Sequence, residues 1–364
     1  MPIKVWDYLK EYENEKSELN DAITKVLESG WLILGENVDN FESEFSNYCG
    51  SKYGVGVNSG TDALFLGLLA LGLKKGDEVI TVSNTAVPTV SAIVSAGGVP
   101  RFVDIDPETY LMDVSKLEQA ITKNTKCILP VHLYGQCVDM DVVNAIAKQH
   151  GLYVLEDCAQ SHGAEYKGTK AGSMSDLSAF SFYPTKILGG YGDGGMVVTN
   201  SEEIRDKMKR LRFYGMDSAY YAKEHGYNSR LDELHAGILR KKLLHLDEYI
   251  TQRRNIAKRY DELLSNSSFV LPKTADFNRH ANYVYVVRHE NRDNIIAELK
   301  KKDIFLNISY PWPIHLMSGY DSLGYKKGDF PNTEKAANEI FSLPMYPTLA
   351  LEEQDVVVEA LSKY

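Results

Sequence analysis

Metal-ligand spacing is missing from this sequence. The four cysteines, Cys49, Cys127, Cys137 and Cys158, form no zinc-type cluster, and three of them lie in or beside apolar runs and read as core thiols. That usage suits a reducing cytoplasm. Apolar runs of membrane-spanning length are also missing, and Met1-Pro2-Ile3-Lys4-Val5-Trp6-Asp7 has no signal-peptide pattern. The expectation is a cytoplasmic protein without membrane contact. There is no excess of positive charge: 40 Lys and Arg stand against 50 Asp and Glu, a net charge of −10. This argues against a general nucleic-acid binder, although a local anion site stays open. Repeats and low-complexity segments do not occur. What remains is ordinary for a soluble globular chain: 364 residues, 44% hydrophobic and 25% charged, enough for one large domain and a smaller one.

The most informative stretch is Ser178-Ala179-Phe180-Ser181-Phe182-Tyr183-Pro184-Thr185-Lys186, followed by Gly189-Gly190-Tyr191-Gly192-Asp193-Gly194-Gly195. A short apolar run reads as a buried strand that ends in a turn carrying one lysine. Most lone lysines are solvated surface charges. Lys186 has Pro184, Ile187, Leu188 and many glycines as neighbours, a poor address for a solvated amine. A lysine in such surroundings is a candidate nucleophile or imine former.

Upstream, Leu152-Tyr153-Val154-Leu155 reads as a strand that delivers Glu156-Asp157-Cys158-Ala159-Gln160-Ser161-His162-Gly163 at its C-terminal end. Ligands of open α/β sheets bind outside the carboxyl ends of strands. Asp157 precedes Lys186 by 186 − 157 = 29 residues, about one strand–loop–strand excursion. A strand-end acid facing a strand-end lysine suits pyridoxal phosphate (PLP): the lysine holds the aldehyde as an imine, and the acid keeps the pyridine nitrogen protonated. Alone, Asp157 would serve equally as a helix N-cap or an ion-pair partner.

A third stretch, Val55-Gly56-Val57-Asn58-Ser59-Gly60-Thr61-Asp62-Ala63-Leu64, runs from strand through a glycine turn into an apolar helix. Ser59, Thr61 and the first helical N–H groups make an anion site, or simply a capped helix start. The stretch lacks the Lys-Ser/Thr ending of a P-loop and the spacing of a dinucleotide fingerprint.

Together these stretches resemble the fold-type I PLP enzymes, in particular the DegT-type nucleotide-sugar aminotransferases. The matching segments also include Ser29-Gly30-Trp31-Leu32-Ile33-Leu34-Gly35, Gly192-Asp193-Gly194-Gly195 and Gly226-Tyr227-Asn228-Ser229-Arg230, and the resemblance covers nearly the whole chain in family order. It implies that Lys186 carries the cofactor, Asp157 pairs with its ring nitrogen and Gln160 meets its ring hydroxyl. It implies that Gly60, Thr61 and Ser181 hold the phosphate with Asn228 of a partner subunit, in a homodimer with shared sites. Trp31, Tyr183, Tyr310 and His315 are the expected substrate-binding residues, with no metal. The loop Ile308–His315 is rigid, aromatic and proline-rich, and it suits either a sugar nucleotide or domain packing. Trp31–Leu34 suits either the border of the site or the docking of the N-terminal arm. One departure stands out. Many relatives place an aromatic residue over the cofactor ring, where this chain has Ala86 followed by Val87. That small-residue version resembles the enzymes that aminate the sugar at C3.

The expected fold is α/β. A large PLP-binding domain over 36–247 has a mostly parallel seven-stranded sheet covered by helices on both faces. An arm over 1–35 joins a smaller α+β domain over 248–364. Strand candidates are Tyr53–Val57, Glu78–Val82, Pro100–Asp104, Cys127–Val131, Leu152–Leu155, Leu177–Ser181 and Met196–Thr199. Leu19, Ile23, Val26 and Leu27 predict one apolar face of an arm helix. A long helix starts at Glu233 with a stripe through Leu243, Leu246 and Ile250, and Asn282–Arg288 alternates as a strand. The implied reaction is transamination of a nucleotide-linked keto-deoxyhexose, foremost a dTDP-3-keto-6-deoxyhexose, with L-glutamate as donor. The 4-keto isomer is the runner-up. A PLP-dependent sugar dehydratase is disfavoured because such relatives replace the lysine by histidine. A non-catalytic sensor is disfavoured by the presence of both Asp157 and Lys186.

Overall fold

A computed structural model describes residues 2–217 and 220–364. Helices α1 (Tyr8–Ser29) and α2 (Glu36–Cys49) come first. Strand β1 (Tyr53–Val57) leads into α3 (Gly60–Ala70), β2 (Glu78–Val82) into α4 (Val87–Ser95), and β3 (Val99–Val103) precedes β4 (Thr125–Ile128). Helix α5 (Met140–His150) returns to β5 (Tyr153–Asp157). A two-residue hairpin, β6 (Glu165–Tyr166) and β7 (Thr169–Lys170), separates it from β8 (Leu177–Ser181) and β9 (Gly195–Thr199). Then come α6 (Glu202–Leu211), α7 (Glu233–Leu243), α8 (Leu246–Leu263), β10 (Asn278–Arg279), β11 (Tyr285–Arg288), α9 (Arg292–Lys300), α10 (Pro331–Glu339), β12 (Ile340–Leu343) and α11 (Leu351–Leu361).

Seven strands form one sheet in the order β1-β9-β8-β5-β4-β2-β3. Only β9 runs against its neighbours, pairing antiparallel with both β1 and β8, so the expected mostly parallel α/β sheet is borne out. The carboxyl ends of β1, β8, β5, β4 and β2 therefore open on one edge, the edge where such sheets bind ligands. Strands β5 and β8 are buried almost throughout, as parallel strands covered by helices must be. Phe41 and Phe45 of α2 stack edge-on against Phe182, and Phe45 also against Phe180, all fully buried. Each such ring contributes roughly 1.5–3 kcal/mol by leaving water.

A second apolar cluster gathers Tyr260, Tyr285, Phe341 and Val357, with Ile3 inserted from the amino end. The Ile3 N–H donates to Asp303 over 2.8 Å, and the Phe305 N–H donates to the Ile3 carbonyl over 2.9 Å. Helix α8 serves both clusters, giving Leu246 and Ile250 to the first and Ile256, Ala257 and Tyr260 to the second.

Three local expectations change. The helix from Glu233 does not run unbroken to Ile250: His245, at φ −104° and ψ 0°, leaves the helical region and separates α7 from α8. On α1 the buried face is Leu19, Ala22 and Val26, while Leu27 is exposed, because the face that meets α7 is narrower than the apolar pattern. The strand expected from Asn282 starts at Tyr285, since Asn282 takes φ +51°, a left-handed value that no strand tolerates.

Candidate active site

Asp157 is the last residue of β5 and lies opposite Ala179 of β8 in the parallel register. The strand continues two residues past its expected end because Asp157 N–H donates to Pro130 O over 2.9 Å, and Asp157 O accepts from His132 N over 3.0 Å. The carboxylate is buried. Its Oδ2 accepts from Thr89 Oγ1 at 2.8 Å, and its Oδ1 accepts from the Ala159 N–H at 3.1 Å. Burial raises its pKa above the usual carboxylate value; the Ala159 and Thr89 hydrogen bonds and the field of Lys186 pull the other way.

Lys186 lies five residues beyond β8, in a turn closed by its own N–H donating to Tyr183 O over 2.8 Å. It is half-buried rather than fully desolvated, and its Nζ sits 4.8 Å from the centre of the Tyr283 ring. It acts electrostatically on both Asp157 and His162.

The β1–α3 turn stands beside the end of β8. Ser59 caps α3, its Oγ accepting from the Asp62 N–H at 3.1 Å. Gly60 is needed for close approach: a Cβ there would lie 2.5 Å from the Ser181 Cβ. Thr61 is half-buried in the first helical turn. The α3 N-terminus and Ser181 thus stand side by side, an arrangement that suits an anion. Ser229 is tied to this turn, its Oγ donating to Asp62 Oδ2 over 2.7 Å and accepting from the Asn58 N–H at 3.1 Å. Its neighbour Asn228 is exposed and bridges to Phe213.

Gln160 and Tyr310, both expected in the site, come together: Gln160 Nε2 donates to the Tyr310 hydroxyl, and Gln160 Oε1 accepts from the Tyr134 N–H at 2.8 Å. Tyr134 and Tyr310 both take positive φ, at 60° and 66°, and their rings stack at 6.5 Å. Strained backbone of this kind persists only where its surroundings over-determine it.

His315 departs from expectation. It is buried, with Nδ1 2.7 Å from Ser83 Oγ and Nε2 3.2 Å from Glu334. Both nitrogens are taken by the chain itself, so His315 fastens its loop to the segment just after β2 and to α10. The exposed aromatic of that loop is Trp312. Trp31 is exposed too, its Nε1 donating to Ile33 O at 2.8 Å, while Leu32 and Ile33 dock onto the segment leading into α7. Tyr183 is exposed beside the lysine turn. Sequence reasoning missed Thr89, Tyr134, Ser229 and Tyr283. Thr89 lies in the first turn of α4 and the other three between named strands and helices, where the only signal is position after a strand or before a helix.

Residues 13–362 match the DegT/DnrJ/EryC1/StrS aminotransferase family. The chain belongs to this family. It is 53% identical, over 99% of its length and 98% of the relative's, to the dTDP-3-amino-3,4,6-trideoxy-alpha-D-glucose transaminase of Micromonospora megalomicea. It is 43% identical, over 100% and 99%, to a pleiotropic regulatory protein of Geobacillus stearothermophilus. The X-ray structure of S. venezuelae DesV in complex with a ketimine intermediate superposes with a TM-score of 0.98 at 39% identity, covering 100% of this chain and 98% of that one. Family structures are solved in PLP and PMP forms. The chain is therefore a PLP-dependent sugar aminotransferase.

The residues present suit that cofactor. An amine, a buried acid and a helix N-terminus stand at or beyond the ends of β8, β5 and β1. Beside Gln160 and Tyr310, Asn84 Nδ2 and the Tyr134 hydroxyl are buried without a hydrogen-bond partner. Buried polar atoms left this way point to a group that completes the site.

Proposed function

We propose that this aminotransferase moves an amino group from L-glutamate to C3 of a dTDP-linked 3-keto-6-deoxyhexose, as a cytoplasmic homodimer with shared sites. The observation that carries the reading is the placement of Asp157 at the end of β5, alongside β8 and within the field of Lys186 in the turn that follows β8, in a chain 53% identical to a dTDP-3-amino-sugar transaminase. Ala86 at the N-cap of α4, where many relatives place an aromatic, supports C3 over C4.

Lys186 would hold PLP, and Asp157 would face its ring nitrogen as the anionic partner. Gly60, Thr61 and Ser181, with Asn228 of the partner subunit, would hold its phosphate, and Gln160 its ring hydroxyl. When bound, PLP supplies an electron sink for the carbon that loses its proton. The chain's own residues do the rest. Lys186 Nζ would take the proton from the donor carbon as base and, as acid, deliver it to the cofactor rather than back to that carbon. Thr89 and the Ala159 N–H keep the Asp157 carboxylate aimed. Tyr310 and Gln160 wall the pocket, and the exposed Trp31 and Tyr183 are placed to meet the sugar or its nucleotide. The presence of both Lys186 and Asp157 favours catalysis over the regulatory role that the Geobacillus relative's name suggests.

The test is a coupled assay with L-glutamate against a panel of dTDP- and UDP-linked 3-keto and 4-keto sugars. Selective turnover of the dTDP-3-keto sugar supports the reading, and preference for a 4-keto sugar replaces it.

A further inference from the structure

We propose that the face of the Tyr283 ring is the seat of the Lys186 amine whenever that amine is free, and that Tyr283 is thereby a positioning residue of the reaction. The proposal rests on the assignment of Lys186 as cofactor lysine and proton carrier. The Lys186 Nζ lies 4.8 Å from the ring centre, within range of attraction between a cation and the electron-rich face of an aromatic ring. A lysine that has just taken a proton is such a cation.

The residue is held by three hydrogen bonds, one at the ring hydroxyl and two at the backbone. Its hydroxyl lies 3.0 Å from Thr185 Oγ1, in the same turn as Lys186. The Tyr283 N–H donates to Tyr134 O over 3.0 Å, and Tyr283 O accepts from Arg253 Nη1, a buried guanidinium, also at 3.0 Å. Gly135 lets this backbone approach: a Cβ there would lie 2.9 Å from Tyr283 N and from Asn282 N. The left-handed turn at Asn282 delays β11 until Tyr285 and leaves Tyr283 outside the strand, beside the lysine turn. A continuous strand from Asn282 would not leave it there. Tyr283 is half-buried and joins the core only at its edge, so its polar anchoring is more than packing needs.

The experiment uses the full-length enzyme loaded with pyridoxamine phosphate, which leaves the Lys186 amine free. Trinitrobenzenesulfonate labels amines, and peptide mapping reads the rate at Lys186. Tyr283→Phe keeps the ring face and should label within about twofold of wild type. Tyr283→Leu removes the face and should label about tenfold faster, the scale of one partly desolvated cation–ring contact. Should Tyr283→Leu fail to fold, phenylalanines of rising fluorine content at position 283 keep the shape while emptying the face, and labelling should rise with fluorination. With α-deuterated glutamate, the PLP-loaded Tyr283→Leu enzyme should show a larger isotope effect on the first half-reaction, because the proton step has slowed. Equal labelling in wild type and Tyr283→Leu, or a flat fluorine series, overturns the proposal. Equal rates in Tyr283→Phe and Tyr283→Leu overturn it as well, since the Thr185 contact rather than the ring would then hold the lysine. Failure of the underlying assignment reads differently: borohydride reduction of the wild-type PLP form would tag a lysine other than Lys186.

Discussion

Thr89 donates a 2.8 Å hydrogen bond to Asp157 Oδ2, joining the first turn of α4 to the end of β5. The segment that carries Ala86 is thus fastened to the acid assigned to the cofactor ring, and one contact orients both.

Asp157→Asn keeps the shape of the site and removes its charge. We expect at least a ~100-fold loss of turnover, the scale of removing one strong electrostatic stabiliser. In cofactor-free enzyme the sign reverses. Burial raises the Asp157 pKa, so its proton is favoured in the folded state, and that contribution is lost as pH rises through the folded value. At neutral pH the cofactor-free Asp157→Asn protein should therefore melt above wild type by calorimetry. Near wild-type turnover would mean that another acid faces the ring.

Gly60→Ala places a methyl group 2.5 Å from the Ser181 Cβ and 3.0 Å from its Cα, which is backbone and cannot swing away. The fold should lose about 1–3 kcal/mol, the usual cost of overpacking. The α3 N-terminus should also separate from Ser181. PLP titration should show at least tenfold weaker binding, and unchanged affinity would place the phosphate elsewhere.

Stability should fall with acid well before carboxylates titrate. His162 and His280 are buried neutral, each with its pKa pushed down to about 3, first by burial and then by Lys186 and Arg254 respectively. A depressed imidazole contributes stability above its unfolded value of ~6.5 that is lost as pH falls toward the folded value. Between those limits each should cost about 1.4 kcal/mol per pH unit. Urea unfolding at pH 7, 6 and 5 should show this slope, and His162→Phe should remove one histidine's share. An unchanged slope would mean that His162 is charged in the folded protein.

If sites are shared, mixing inactive Asn228→Asp and Lys186→Ala chains during refolding should rebuild heterodimers with one intact site. Random pairing in a two-fold dimer predicts roughly a quarter of wild-type activity. Heterodimers without activity would place Asn228 and Lys186 in the same subunit's site, a geometry toward which the bonds from Ser229 to Asn58 and Asp62 would then have pointed.

Much of this was legible in the sequence because strand ends announce themselves. Apolar runs closing on Asp157, Lys186 and the Ser59–Thr61 turn fixed the sheet edge and the chemistry together. What stayed hidden depends on loops. The pairing of His315 with Ser83 and Glu334 joins residues distant in the chain, and nothing in a Pro-aromatic loop distinguishes a ligand contact from an internal clasp. Tyr283 was obscured for a different reason: its alternating neighbours read as strand, and the left-handed turn at Asn282 is a single-residue event without periodicity.

The most direct measurement is borohydride reduction of the PLP-loaded wild-type enzyme, followed by proteolysis and mass mapping. The account predicts one reduced phosphopyridoxyl group, on Lys186. The same group on any other lysine, or none on Lys186 in an enzyme that still turns over, would contradict it.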